Sequence, residues 1–318
     1  MSSSRPRIVS IGGGTGLSTL LRGLKNGPAD LSCIVTVTDD GGSSGRLRED
    51  FGAMPPGDIR NCMIALSEDE NLMAQLFRFR FSGKGDLHDH SFGNLFLTAM
   101  AGVTRDFAEA VRLTSEVLAI KGVIYPSTNS DVTIGADFED GDFVEGETRI
   151  TSARKKIRKI SLNPGGAEPL PGALDAIAAA DMITIGPGSL YTSLIPNLLV
   201  VKIVDAIHRS HARKIYIQNI MTQPGETTGL TVADHVEALV CHSGGKPLFS
   251  RILVNNAIPS TELRIKYQAE GAALVPIDRD RLKSMGFECV EYPLLAEGQV
   301  IRHDPNLLAQ AVYRMAEL

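Results

Sequence analysis

The chain opens with a pattern that leaves few folds available. Residues 7–11 read "RIVSI", a short apolar run of strand type, followed at once by "GGGTG" and then "LSTLLRGLKNG". In that last stretch Leu17, Leu20, Leu21 and Leu24 recur at helical spacing, and Gly27 marks a stop. "LSCIVTVT" (31–38) is a second strand. Strand, glycine turn, helix, strand is a βαβ unit, so the two strands run parallel. The strand-then-glycine pattern returns in "MITIGPGSLYTSLIPN" and "KIYIQNIMTQPGET", and "RILVNNA" adds another strand. The predicted fold is a Rossmann-like α/β architecture: one doubly wound, mainly parallel sheet over residues 1–318. Weak two-fold alternation around 135–160, after the turn signal "EDGDF", predicts a small antiparallel insertion.

Helices are predicted at "DIRNCMIALS", capped by Asp58, and at "NLMAQLFRFRF", "SFGNLFLTAMAG", "DFAEAVRLTSEVLAI" and "LPGALDAIAAAD". "DPNLLAQAVYRMAEL" is a further amphipathic helix, capped by Asp304. The stretch from Asp39 to Gly57 reads as a long loop, and loops beyond about 15 residues are uncommon unless functional.

Charge and composition exclude some functions. A net charge of −5 over 318 residues argues against a broad nucleic-acid footprint. No apolar run approaches the roughly 20 residues needed to span a bilayer, and no apolar signal segment precedes the first strand. Cys33, Cys62, Cys241 and Cys289 have neither metal-ligand nor redox spacing, and read as core thiols of a reducing compartment. The expected location is the cytoplasm.

In an open parallel sheet, ligands bind beyond the carboxyl ends of the strands, where the winding reverses. Four loops leave strands at that edge: Gly12–Gly16, Asp39–Arg48, Gly186–Ser189 and Asn219–Glu226. In the first, Gly13, Gly14, Thr15 and Gly16 precede a helix; glycines admit a phosphate closely and the helix N-terminus supplies free N–H groups. A plain βα turn is the alternative. The dinucleotide fingerprint is broken, because Leu17 stands where its last glycine belongs, and no Gly-Lys-Ser/Thr follows for a Walker loop.

The second loop, "TDDGGSSGRLRED", joins acids, flexible donors and guanidinium groups. Asp39 and Asp40, at a strand end, suit ribose hydroxyls, Mg²⁺, or proton abstraction from a substrate hydroxyl. Ser43 and Ser44 bring hydroxyl donors, and Arg46 suits a phosphate. A self-paired surface loop is the alternative.

In "PPGDIRNC", Asp58, Arg60 and Asn61 lie in a first helical turn, facing any anion at that end. His88 and His90 stand two apart without a completing ligand set; a hydrogen bond between His90 and Asn94 is the expectation. Gly186, Gly188, Ser189 and Thr192 form a donor-bearing turn. It is not a nucleophile elbow, since Tyr191 takes the place of the second glycine. Asn219, Thr222 and Glu226 resemble a base- or sugar-reading edge, with a plain turn as the alternative, and Arg302 offers a further cation, with a surface arginine as the alternative.

Together the motifs "IGGGTGLSTLLRGLK", "VTVTDDGGSSGRLR", "PPGDIRNC", "HSFGNL", "IGPGSLYTS", "NIMTQPGET" and "VIRHD" resemble the YvcK group of the YvcK/CofD-like family, the gluconeogenesis factors. The resemblance runs from residue 11 to 304. It implies a cytoplasmic Rossmann-like protein, often a dimer, needed for cell shape and for growth on gluconeogenic carbon sources. Such proteins bind UDP-sugars such as UDP-N-acetylglucosamine or UDP-glucose, without an established reaction or a required cofactor. Protein partners in cell-wall synthesis or its regulation are implied as well.

The sister group transfers phospholactate from a guanylylated donor to a deazaflavin. After Thr38-Asp39-Asp40 those enzymes run to a phenylalanine and an acidic segment, whereas this chain has Gly41-Gly42-Ser43-Ser44-Gly45-Arg46. The first expectation is therefore a UDP-sugar-binding regulatory protein. The alternative is a phosphotransferase with a nucleotide-linked donor, Asp40 serving as base or Mg²⁺ ligand. A nicotinamide oxidoreductase is disfavoured by the broken fingerprint.

Overall fold

The structure is a computed structural model, described here for residues 5–68, 72–296 and 298–317. Asn71, at the expected start of the second helix of the Asp58–Ile120 region, lies outside the described residues. In chain order the first half contains β1 (Arg7–Gly12), α1 (Gly14–Leu24), β2 (Asp30–Val35), α2 (Gly42–Phe51), α3 (Gly57–Leu66), α4 (Leu72–Arg78), α5 (Phe92–Thr104), α6 (Phe107–Val117) and β3 (Val123–Pro126). An antiparallel piece follows: β4 (Thr133–Phe138), β5 (Phe143–Glu145), α7 (Glu147–Ala153) and β6 (Ile157–Asn163). Next come α8 (Pro171–Ala179), β7 (Met182–Ile185), a π-helical turn (Leu190–Leu194), α9 (Ile195–Leu199), α10 (Ile203–Arg209) and β8 (Arg213–Ile217). The remainder is α11 (Val232–His242), β9 (Arg251–Asn255), α12 (Thr261–Ala269), α13 (Arg279–Ser284), β10 (Glu288–Tyr292), β11 (Leu295–Ala296), β12 (Arg302–His303) and α14 (Pro305–Ala316).

The main sheet has seven strands in the order β10-β9-β8-β7-β1-β2-β3. Every neighbouring pair is parallel. The central strands are apolar on both faces: β7 is buried throughout, and β1 is buried except at Arg7. That pattern suits a parallel sheet covered on both sides. The chain winds outward from β1 through β2 to β3, then returns to β7 on the other side of β1 and winds out to β10. The reversal therefore lies between β1 and β7. The two strands of the predicted glycine turns are neighbours, and both turns leave the same edge. The predicted insertion is present as a three-stranded antiparallel sheet, β5-β4-β6, with α7 after β5.

Three local expectations are corrected. Residues 39–57 are not a continuous loop, because Gly42–Phe51 is helical. Gly-Ser-Ser-Gly has low intrinsic helix preference, so the local pattern hides α2. Packing makes it: Ser43, Ser44, Gly45 and Leu47 are buried, and a Cβ on Gly45 would stand 2.1 Å from the Asp40 carbonyl oxygen. Second, Asp58 does not cap its own helix; Pro56 is the N-cap of α3, and no side chain bonds there. Third, only Cys33 and Cys62 are core thiols, since Cys241 is exposed and Cys289 half-buried. Asp304 does cap α14, accepting from the N–H groups of Asn306 and Leu307 at 2.8 and 2.9 Å. Among the described residues no single helix is long and apolar enough to cross a membrane.

Candidate functional site

At the switch point the β1 turn and the β7 bend are pressed together. A Cβ on Gly16 would lie 2.6 Å from the Pro187 carbonyl oxygen and 2.9 Å from the Gly188 nitrogen. Only glycine permits this approach. The bend is held from β8: Asn219 Oδ1 accepts from the Gly188 N–H at 3.2 Å, and Asn219 Nδ2 donates to the Gly188 carbonyl at 2.8 Å. Gln223 extends the clamp, donating to Ser189 Oγ at 2.7 Å. α1 begins at Gly14 behind an extended Gly13 that offers no side-chain cap. The opening N–H groups of any helix lack intrahelical partners, so this end carries positive potential.

A cavity of about 360 Å³ opens onto these backbones. Gly13, Gly14, Thr15, Gly16, Gly188, Ser189, Asn219, Thr222 and Arg302 line it, all nine among the residues singled out from sequence. Thr222 also has a scaffold role: its N–H donates to the Ala273 carbonyl at 2.7 Å, and the Ala273 N–H donates to its hydroxyl at 2.9 Å. Thr19, Gln223, Tyr267, Glu270 and His303 are among the other wall residues, and sequence reasoning did not select them. For Tyr267 and Glu270 no sequence signal existed, because α12 reaches the site only through the tertiary fold. His303 stood beside Arg302 in "VIRHD" and could have been found. Its ring donates to the Gln218 carbonyl, and burial lowers its pKa to about 4, so it is neutral at physiological pH.

Behind the glycine turn lies a group of carboxyls. A Cβ on Gly13 would come 2.6 Å from Asp58 Oδ2, and one on Gly57 would come 2.7 Å from Asp39 Oδ2. Asp58 is partly buried and accepts the Gly14 N–H, so it caps α1 rather than its own helix. Burial, and then the charge of Asp39, push its pKa up to about 7. Glu226 is also pushed up to about 7 by burial, although Thr192 and the N–H groups of Tyr191 and Thr192 bond to it. Burial raises the Glu147 pKa well above the usual range, helped by Asp39, Asp58, Glu226 and Asp40. Glu147 was not foreseen, because it sits on the inserted piece, which α7 carries back over the acids.

Asp40 plays a different part from Asp39. Its Oδ1 accepts from the Thr148 N–H at 2.8 Å and from the Thr148 hydroxyl at 2.6 Å. It thus caps α7 from more than a hundred residues away in sequence. Thr192 faces Glu226 at 3.4 Å rather than the cavity. Gly186, at φ +84, forms the start of the bend.

The other expected residues gather away from the cavity. Ser43 Oγ lies 3.0 Å from His90 Nδ1 and accepts from Asn94 Nδ2 at 3.1 Å, so His90 and Asn94 meet through a serine rather than directly. Ser44 packs against Gly57, Arg46 donates to the His88 carbonyl at 2.8 Å, and Asn61 accepts from Arg60 at 2.8 Å. The sequence candidates therefore form two groups, with Asp39 and Asp58 between them.

Residues 8–295 match the family described as 2-phospho-L-lactate transferase CofD. The gluconeogenesis factor of Bacillus subtilis is 48% identical over 306 residues, covering 96% of each chain. The gluconeogenesis factor of Halalkalibacterium halodurans is 46% identical over 309 residues, covering 97% of this chain and 96% of its own. The crystal structure of protein BH3568 from Bacillus halodurans superposes with a TM-score of 0.94 at 45% identity, covering 97% of this chain and 99% of that one. With identity of this depth along almost its whole length, the chain belongs to the CofD/YvcK family, among relatives named gluconeogenesis factors.

Proposed function

We propose that the switch-point cavity binds a UDP-sugar, UDP-N-acetylglucosamine or UDP-glucose, and that the protein acts as a nucleotide-sugar-responsive regulator in gluconeogenic growth and cell morphogenesis. The observation that carries the reading is the contact of the two glycine turns at Gly16 and Gly188, at the N-terminus of α1. Bare glycine backbone at a helix N-terminus suits a diphosphate. Arg302, exposed on the rim, adds a cation for phosphate or sugar oxygens.

Mg²⁺ accompanying the diphosphate fits the Asp39–Asp58 end. Hard oxygen donors face the turn there, and a cation would relieve the disfavoured charge of Asp58. Among the described residues no three candidate ligands are preassembled, so phosphate oxygens and water would complete its shell. Titration calorimetry with UDP-N-acetylglucosamine and UDP-glucose, with and without Mg²⁺, tests the reading. Micromolar binding, about 8 kcal/mol, is expected. Absence of heat with every UDP-sugar at millimolar concentration refutes it.

A second reading, a phosphotransferase with a nucleotide-linked donor, is favoured by the carboxyls beside the phosphate turn, two of which titrate near 7. Asp39 or Asp58 would then act as base or Mg²⁺ ligand, since Asp40 is held by Thr148. Release of UMP, UDP or GMP from labelled donors in the presence of an acceptor panel separates enzyme from binding protein.

A further inference from the structure

We propose a second binding site, for a small oxyanion, where Arg46, Arg60 and Arg80 gather on the His88–Ser91 segment. Residues 58 and 60 leave a helix roughly 200° apart, so Asp58 faces the glycine turn while Arg60 points to the other side of α3. Arg60 is 9% exposed, yet among the described residues no carboxylate lies within ion-pair distance of it. Its partners are neutral: Nη1 donates to Ser91 Oγ at 2.5 Å, and Nη2 to Asn61 Oδ1 at 2.8 Å. Its buried Nε has no partner. Asp58 and Asp39 favour its charge only from beyond ion-pair distance; a buried cation with no contacting counter-ion is disfavoured, and a bound anion would supply one.

The neighbours add positive charge. Arg80 stands near enough to Arg60 to disfavour its protonation, and Arg46 and Arg80 do the same to His90. Both outer arginines are held by backbone carbonyls. Arg46 donates to the His88 carbonyl at 2.8 Å and Arg80 to the Asp89 carbonyl at 2.7 Å. The Asp89 carboxylate is 3.4 Å from Arg80, and Asp50, Asp39 and Asp58 act on the cluster from its edges. His90 is buried, with Nδ1 3.0 Å from Ser43 Oγ. Ser43 also accepts from Asn94; in the tautomer where its hydroxyl donates to Nδ1, the imidazole Nε2 carries the hydrogen and is a donor. Three guanidinium groups and this N–H complement a phosphate or a carboxylate.

This site is separate from the nucleotide cavity, whose walls include none of these residues. It does not depend on what that cavity holds. The ligand is a small molecule bearing a phosphate or carboxylate group.

The test uses the full chain at constant ionic strength, balanced with NaCl. Melting temperature is followed against inorganic phosphate in one arm and succinate in the other, for wild type, Arg80→Gln and Arg60→Lys. Arg80 is half exposed, so Arg80→Gln should melt like wild type without ligand; it decides the matter if Arg60→Lys fails to fold. A saturable stabilisation by one anion, weakened at least tenfold in Arg80→Gln, is expected, and the responding arm identifies phosphate or carboxylate. An effect no larger than that of chloride, or a saturable one retained in Arg80→Gln, overturns the proposal. Calorimetry with UDP-N-acetylglucosamine on Arg80→Gln reads the nucleotide cavity separately, so failure at one site is distinguishable from failure at the other.

Discussion

Replacing Asp58 by asparagine should stabilise the unliganded protein, and increasingly so as pH rises. Desolvation and the charge of Asp39 push its pKa up to about 7, against 3.8 in the unfolded chain. Below the unfolded value both states hold the proton and nothing is lost. Between 3.8 and 7 only the folded state keeps it, so folding loses stability steadily as pH rises through this window, and the loss levels off above 7. A shift of about three units corresponds to about 4 kcal/mol at pH 8. At pH 5 the same shift gives about 1.7 kcal/mol.

The advantage of Asp58→Asn over wild type should therefore grow by roughly 2.5 kcal/mol from pH 5 to pH 8, or about 4 °C in Tm for a chain of this size. The bond from the Gly14 N–H survives in weaker form, since asparagine still offers an acceptor, and it subtracts a pH-independent amount. Urea unfolding at pH 5, 6.5 and 8 in EDTA measures the difference directly. The same variant should lose Mg²⁺-dependent stabilisation, in keeping with strained charge held at a binding site. A stability difference that stays flat across this range, or that moves against the variant with rising pH, would refute the reasoning.

Other perturbations report on other parts of the site. Gly16→Ala places a methyl group 2.6 Å from the Pro187 carbonyl oxygen; overpacking of this kind costs about 1–3 kcal/mol, and calorimetry should show UDP-sugar binding lost. Asp40→Ala removes the cap on α7 and should cost about 1 kcal/mol, with faster amide exchange confined to Glu147–Ala153. His242 clamps the insertion to α11: its Nε2 accepts the Ile160 N–H at 2.9 Å and its Nδ1 lies 2.7 Å from the Ala238 carbonyl. His242→Ala should cost about 1–2 kcal/mol and speed exchange at Ile160. His303, depressed from 6.5 to about 4, contributes stability that is full above pH 6.5 and is lost as pH falls toward 4. His303→Gln should flatten that acid-side slope in a pH series of thermal melts.

The first βαβ unit was legible because its periodicity is local. Buried parallel strands must be apolar on both faces, and α1 must carry its leucines on one side. The glycine turns could be read for the same reason, since only glycine allows a backbone that near another, and nine of the expected residues line one cavity. The strand order was not in the pattern. That β7 pairs with β1, and so brings the Gly186–Ser189 bend against Gly16, follows from how the sheet closes over its core. Three-dimensional packing also decided the roles of the two adjacent aspartates. Identical side chains one residue apart project differently, so Asp39 stays with the buried acids while Asp40 caps a helix from the insertion. α2 lay hidden because Gly-Ser-Ser-Gly is a poor helix former until burial of its serines compensates. Glu147 and Tyr267 had no local signal, since what marks each is its surroundings, other carboxyls and a cavity wall. Arg60 stood in "PPGDIRNC" beside Asp58 and Asn61, but only the fold shows its guanidinium buried and bonded to neutral groups. Sequence determined the chemistry available at the sheet edge, because that chemistry is written residue by residue. Tertiary structure decided which of those groups meet, because burial and charge depend on distances that local spacing does not encode.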